Sequence, residues 1–523
     1  MHTTGRRTFL KGLGTLAVPI LAACGGAASP TAAPTTAPAK PTEAPKPAAT
    51  TAPAATSAPA AAATTAPAAA TKPAAAGAAS PAAGATTAPA GATAAPAGAA
   101  ATQPAGAPAA AGGPAPKTKS GASLKILLWS HFVPAYDDWF DKYAKSWGDK
   151  KKVDVKVDHI QNATIPARLA AESSAGAGHD LFEFQAVLQA ATYKDKLVDL
   201  TDIYNLVGPK YGGWTAMAKT FGLVEGKRMA IMDYAILQPH LYRVDYFKDA
   251  GYDKFPDDYP TLLEATTKIR AKNKDHVCGL PLSNCNDGNH NWRSVIYSFG
   301  GAEQSEDGTK VTIASDETLA AIKFGVDLYK AGMTDEVFSW DDSGNNRLLL
   351  SGRGAWIDNA TSAYITAKDQ APDVYKNSAI GLQPKGPGPK GGRRNGVDGN
   401  AWAIWKWAND ADTAKAFIVD WYDQWKDWGK VTNGYNSPPL LDMWKKPMPG
   451  LEDPNFQIMQ DWRDIAFVAG WQGTFNAAIE EVNATFVVPN MVARAVRGES
   501  PEAAMKWGES EYKRIFQKHG LPG

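Results

Sequence analysis

The sequence predicts an α/β protein made of two doubly wound lobes joined by crossover strands. Residues 25–120 hold no aromatic residue and no Val, Ile, Leu or Met. A stretch of Ala, Pro, Thr, Gly and Ser cannot bury enough apolar surface to offset its ordering entropy. Folding is therefore left to residues 121–523, a length that supports two domains with separate cores. That part opens as strand, helix, strand, helix, strand, the signature of a doubly wound sheet.

The elements follow in order. Residues 124–129 are a continuous apolar run, as in a buried parallel strand. Residues 136–147 set Tyr136, Trp139, Phe140, Tyr143 and Trp147 at helical spacing. Residues 153–157 alternate apolar with charged and read as a second strand. Residues 165–174 read as a helix capped by Thr164, with Pro166 tolerated in its first turn. Residues 181–184 make the third strand. Further on, residues 315–332 carry a Ser cap, two acids in the first turn and a closing glycine. Residues 354–357 and 401–405 read as strands, residues 280–283 as part of another, and residues 410–425 as a helix.

The chain has 54 basic and 53 acidic residues, a net charge of +1. So even a balance argues against nucleic acid as the main partner. Three cysteines are too few for a disulfide scaffold. Arg6 and Arg7 precede a weakly apolar run to Ala23, the pattern of a twin-arginine export signal, with Gly5 where Ser or Thr is usual. The run is too short, and broken by Pro19, to span a bilayer. Residues 1–23 thus read as the signal. Leu21, Ala22, Ala23 and Cys24 resemble a bacterial lipobox, which implies a lipid on Cys24 and attachment to the membrane. Residues 24–120 then read as a tether that holds the folded part clear of the membrane.

Six segments carry a resemblance. Residues 166–184 give a helix, a Gly-rich turn and an Asp-led strand. Residues 196–202 read Lys-Leu-Val-Asp-Leu-Thr-Asp, and residues 225–231 read Glu-Gly-Lys-Arg-Met-Ala-Ile. Residues 241–251, 348–359 and 399–406 follow in the same order. Together they resemble the sugar-binding extracellular solute-binding proteins of bacterial ABC importers, of the maltose-binding type. The chain departs from the family at Arg243 and Val244, where Asn-Lys is usual. The resemblance implies a first lobe of residues 121–234 plus 385–435 and a second of 235–384 plus 436–523. It implies a small carbohydrate held between lobes that close about a hinge. Permease subunits are the implied partners of a monomer that is exported, is not an enzyme and carries no cofactor or metal.

A sugar site needs aromatic plates and fixed hydrogen-bonding groups. All 17 tryptophans lie beyond residue 128. Trp139, Trp147, Trp421 and Trp425 sit at helical spacings and read as packing. Ligands of a doubly wound sheet gather beyond the carboxyl ends of its strands. That rule selects Trp129 with Ser130 and His131, then Gln161 and Asn162, then Glu183 and Gln185. It also selects Asp233 and Tyr234 at the first crossover, Trp292 after an Asn-rich loop at 284–291, and Asp358 with Asn359. Asp398, Asn400 and the loop residue Trp471 complete the set. Each polar residue could equally be a cap or a solvated loop group.

Other constellations are weaker. His276, Cys278, Cys285 and His290 match no zinc-finger spacing. An exported compartment permits a Cys278–Cys285 disulfide if the six residues between them turn; two free thiols are the alternative. The Gly386 to Gly391 run reads as a surface loop. The acid pairs Asp137-Asp138, Asp257-Asp258 and Asp341-Asp342 read as turns or exposed helix starts rather than a hydrolase pair. Arg168, Arg228, Arg243, Arg293 and Arg463 leave open an amino-acid or peptide ligand; a polyamine or a metal would need acids instead.

Overall fold

The computed structural model describes residues 114–185, 190–473 and 475–523. The signal, Cys24 and most of the tether lie outside the described residues, as do the side chains of Gln185 and Asp398. The chain joins the first lobe at residues 119–121. There the Lys119 amide donates to Thr413 Oγ1 at 2.9 Å, and the Gly121 amide to the Lys152 carbonyl at 2.7 Å.

The strands are β1 (Ser123–Trp129), β2 (Asp154–Ile160), β3 (Leu181–Gln185), β4 (Leu223–Val224), β5 (Lys227–Arg228), β6 (Ile231–Ile236) and β7 (His240–Arg243). They continue as β8 (Val277–Gly279), β9 (Gly354–Asp358), β10 (Ser378–Gly381), β11 (Asn395–Gly396), β12 (Asp398–Ile404) and β13 (Ala466–Phe467). The first lobe holds a five-stranded sheet in the order β2-β1-β3-β12-β6. β1 runs parallel to β2 and β3, while β12 runs antiparallel to β3 and β6. Helices on its faces explain why Leu124, Ile126, Leu127 and Leu128 are all buried rather than alternating. The helix Pro134–Lys151 buries Tyr136, Phe140, Ala144 and Trp147 along one stripe. The Trp147 indole also donates to Asp420 at 2.8 Å. Register shifts between Gly399 and Ala401. A Cβ on Gly399 would come within 2.6 Å of Met232, so this close approach requires glycine.

The second lobe holds the four-stranded sheet β10-β7-β9-β8. Helices Asn286–Phe299, Asp316–Gly332, Val487–Val496 and Pro501–Lys518 pack together beside it. Ser315 caps the second of these, accepting from the Thr318 amide at 3.2 Å. The chain passes between the lobes three times: from β6 to β7, from β10 to β12, and from the helix Trp425–Val431 to the helix Ala477–Ala484. The last passage touches both lobes. Trp444 donates to the Pro438 carbonyl beside the first lobe. Asn455 donates to Tyr364 at 2.7 Å in the second.

Several expectations are corrected. Thr164 does not cap its helix; its hydroxyl donates back to the Gln161 carbonyl at 2.6 Å, holding a short 3-10 turn instead. Residues 284–291 are not a loop, because the helix Asn286–Phe299 begins inside them. Residues 280–283 form no strand; the pairing ends at Gly279. The expected helix at 410–425 splits into Ala411–Tyr422 and Trp425–Val431. Cys278 and Cys285 are both free and buried. Burial pushes both thiols up. Among the described residues, no His, Cys, Asp or Glu group of three or more could hold a metal.

Candidate functional site

The carboxyl ends of both sheets converge on one narrow cleft between the lobes. Phe132 and Asn162 reach it from the first lobe, just past β1 and β2. Ile236 and Gln238 reach it from the first passage, and Tyr435 from the third. The second lobe supplies Asn286, Asp287, His290, Asp342, Asn359, Ala360 and Ser362.

The helix Asn286–Phe299 aims its first turn at this cleft. Asn286, Asp287 and His290 are three or four residues apart, or adjacent, and share that end. No residue of the helix caps it. Asp342 comes from elsewhere in the chain and accepts the Asp287 amide at 3.0 Å and the Asn286 side-chain amide at 3.3 Å. A carboxylate there is favoured by the helix dipole. Asp342 is nonetheless raised above the usual carboxylate range, by burial first, with these amides pulling the other way. Asp287 accepts from Asn345 at 2.7 Å and from Gln238 at 3.4 Å. Asn345 also donates to the Asp358 carbonyl at 3.2 Å, which ties the helix to the end of β9. Asn359 donates to Asn346. Amides thus orient each carboxylate before any solute arrives.

Of the residues selected from the sequence, Asn162 and Asn359 line the cleft. His131 lies directly behind it. The Val133 amide donates to its Nδ1 at 2.8 Å, so Nε2 carries the hydrogen and donates to Asn436 Oδ1 at 2.9 Å. Burial holds this imidazole down at about 3, so it is neutral. Its ring packs against Trp129 at 4.7 Å and against the cleft residue Tyr435 at 4.9 Å. Trp129, fully buried, donates to Tyr234 at 3.3 Å.

The others with described side chains fall outside the cleft, which corrects the strand-end reading for them. Asp233 and Tyr234 do not sit at the crossover; they lie within β6, both fully buried. With Glu183 and Asn400 they form a sealed polar cluster. Asn400 donates to Tyr234 at 2.6 Å and to Glu183 at 3.0 Å. Burial, then the charge of Glu183, raises Asp233 far above the carboxylate range; Glu183 is raised too. In such a place the charge of each carboxyl disfavours ionisation of the other. Trp292 belongs to the second-lobe core, donating to the Pro281 carbonyl at 2.8 Å with no exposed surface. Asp358 is fully buried one residue behind the cleft, 3.7 Å from His240. Trp471 lines a separate, larger groove of about 520 Å³ with Trp214, Met217 and Phe467, and Arg394 lies 4.8 Å over its ring. Gln185 and Asp398 have their backbones at the ends of β3 and β12, and their side chains lie outside the described residues.

Sequence reasoning missed Phe132, Gln238, Asn286, Asp287, His290, Asp342, Ser362 and Tyr435. One signal was present. Trp292, Val295, Ile296 and Phe299 follow the i, i+3, i+4, i+7 pattern that marks the helix whose first turn lines the site.

The fold resembles solved structures of solute-binding proteins. A maltose-bound protein of T. maritima is 22% identical, over 75% of this chain and 100% of that one, with a TM-score of 0.65. A sugar transporter protein from Arthrobacter chlorophenolicus with bound laminaribiose is 17% identical, over 76% and 99%, with a TM-score of 0.64. A solute-binding protein of Agrobacterium vitis with bound D-mannitol is 20% identical, over 77% and 100%, with a TM-score of 0.59. At these identities the likeness is one of fold. No curated protein matches the chain. The sequence pattern of one family covers residues 138–446, more than half the chain, and the protein belongs to that family, the bacterial extracellular solute-binding proteins.

Proposed function

We propose that the protein captures a small carbohydrate between its lobes outside the cell membrane and delivers it to the permease of an ABC importer. The lining of the cleft carries this reading. It combines the rings of Phe132, Tyr435 and His290 with amides, carboxylates and the hydroxyls of Ser362 and Tyr435, and no lysine or arginine among the described lining residues. Rings suit the C–H faces of a sugar, and carboxylates suit paired hydroxyls. Sugars and sugar alcohols bound in proteins of the same fold accord with it. The missing cation disfavours an amino acid or peptide, whose carboxylate calls for one.

Asp287 and Asp342 favour one second reading, a small cation such as a polyamine. Under either reading the protein works as a monomer without a cofactor, exported by its twin-arginine signal and anchored through Cys24.

A thermal-shift screen of sugars, sugar alcohols, amino acids and polyamines tests this. A ligand at a hundred times its dissociation constant adds about 2.7 kcal/mol of stability. A shift with sugars alone supports the carbohydrate reading. A shift with polyamines alone replaces it.

A further inference from the structure

Glu480 lies on the second-lobe helix Ala477–Ala484 and faces the first lobe. Thr192, on the loop after β3, donates its hydroxyl to Glu480 Oε1 at 2.8 Å. The residue is 8% exposed, and its Oε2 has no hydrogen-bond partner among the described residues. The contact therefore crosses from lobe to lobe, and it buries a carboxyl group with half its bonding capacity unmet.

The surroundings offer no compensating charge. From the first-lobe loop the facing titratable group is Tyr193, whose phenol is raised by burial and then by the charge of Glu480. On its own helix, Glu481 turns away to Lys518 at 2.7 Å and His519 at 2.8 Å. One turn further, Asn483 accepts from Arg293, whose charge Glu303 matches at 3.1 Å. Among the described residues, no Lys, Arg or His pairs with Glu480.

We propose that closing of the lobes takes up a proton at Glu480, so that solute capture strengthens as the external pH falls. This rests on the closing cleft of the proposed function. Opening withdraws Thr192 and its loop and returns the carboxyl to water. Closed, burial pushes Glu480 up to about 8, with Thr192 offsetting only part. Open, it returns toward its ordinary value of 4.5. Between those values the closed state binds more protons, so lowering the pH favours closure. Below and above that window the effect is flat. Across pH 8 to 5 the closing equilibrium should shift about tenfold or more.

The test uses the full chain with Cys24→Ala and spin labels on Lys156→Cys and Lys268→Cys, at exposed positions of the two lobes. Pulsed dipolar spectroscopy reads the interlobe distance. The expected result is a short-distance population that grows from pH 9 to pH 5.5, while Glu480→Gln stays at its low-pH value throughout. A wild-type distance independent of pH overturns the proposal, as does a pH dependence that survives in Glu480→Gln. Thr192→Val is the second variant, since it removes the hydroxyl that stabilises the carboxylate. Its transition should move to higher pH, and an unmoved midpoint also overturns the proposal. No solute is needed, so a sugar screen without hits would fail the carbohydrate reading and leave this result standing.

Discussion

Tyr435 and Trp292 show how two aromatic residues can serve different ends. Tyr435 lines the cleft and leans on His131, which Asn436 and the Val133 amide hold in a single tautomer. Tyr435→Ala should weaken solute binding about tenfold, the worth of one aromatic face, and should also lower stability, because the ring is buried against His131. Titration calorimetry with a solute from the screen would check this. Trp292 has the opposite role. Its ring is wedged so tightly that a Cβ on Gly325 would meet it at 2.9 Å. Trp292→Ala should cost about 3–5 kcal/mol in urea unfolding. A loss under 1 kcal/mol would contradict its place in the core. The sequence could not separate these two rings. Both sit near turn-rich segments and both are buried, so only the tertiary fold decides which one borders the cleft.

At the scale of the element, the first turn of Asn286–Phe299 is the most exposed to error. Its amides depend on Asp342, a residue more than fifty positions away in the chain. Asp342→Ala should cost about 1 kcal/mol through the lost cap. It should also lower solute affinity, because Asn286 loses its hold. If stability falls but affinity does not, the cleft is not the binding site. This dependence explains what was legible. Strands β1, β3 and β9 could be read because buried strands are continuous apolar runs, whereas β6, β7 and β10 went unread and β8 was expected at 280–283. The strand-end rule then found Asn162 and Asn359, which flank β2 and β9. It could not find Asp287 or His290, since a helix terminus capped from a distance looks like a polar loop. Nor could it tell that Asp342, beside exposed Asp341, turns inward.

Across the whole molecule, buried titratable groups pull stability in two directions. Burial holds His131 and His240 at about 3, against an ordinary 6.5. Between those values the unfolded chain binds more protons, so stability falls as pH drops from about 6.5 toward 3. Glu183, Asp233 and Asp358 are raised by burial. For them the unfolded chain releases protons first, so stability falls as pH rises above the ordinary carboxylate range. Unfolding free energy should therefore be dome-shaped in pH and highest near mild acidity. Asp233→Asn should flatten its alkaline limb, as urea melts from pH 4 to 9 would show. An alkaline limb as steep as that of the wild type would mean that the charges of Glu183 and Asp233 do not disfavour each other.

The three passages of chain between the lobes have a mechanical consequence. A panel hung on one pin can wobble, but three pins set apart leave it a single line about which to swing. The strand-to-strand link at Gln238, the run through Asn395 and the long stretch beyond Tyr435 act as those pins. Twisting or sliding would stretch at least one of them. The two halves should therefore move along one path, with every interlobe distance rising and falling in step, and a label pair placed anywhere across the gap should report the same coordinate.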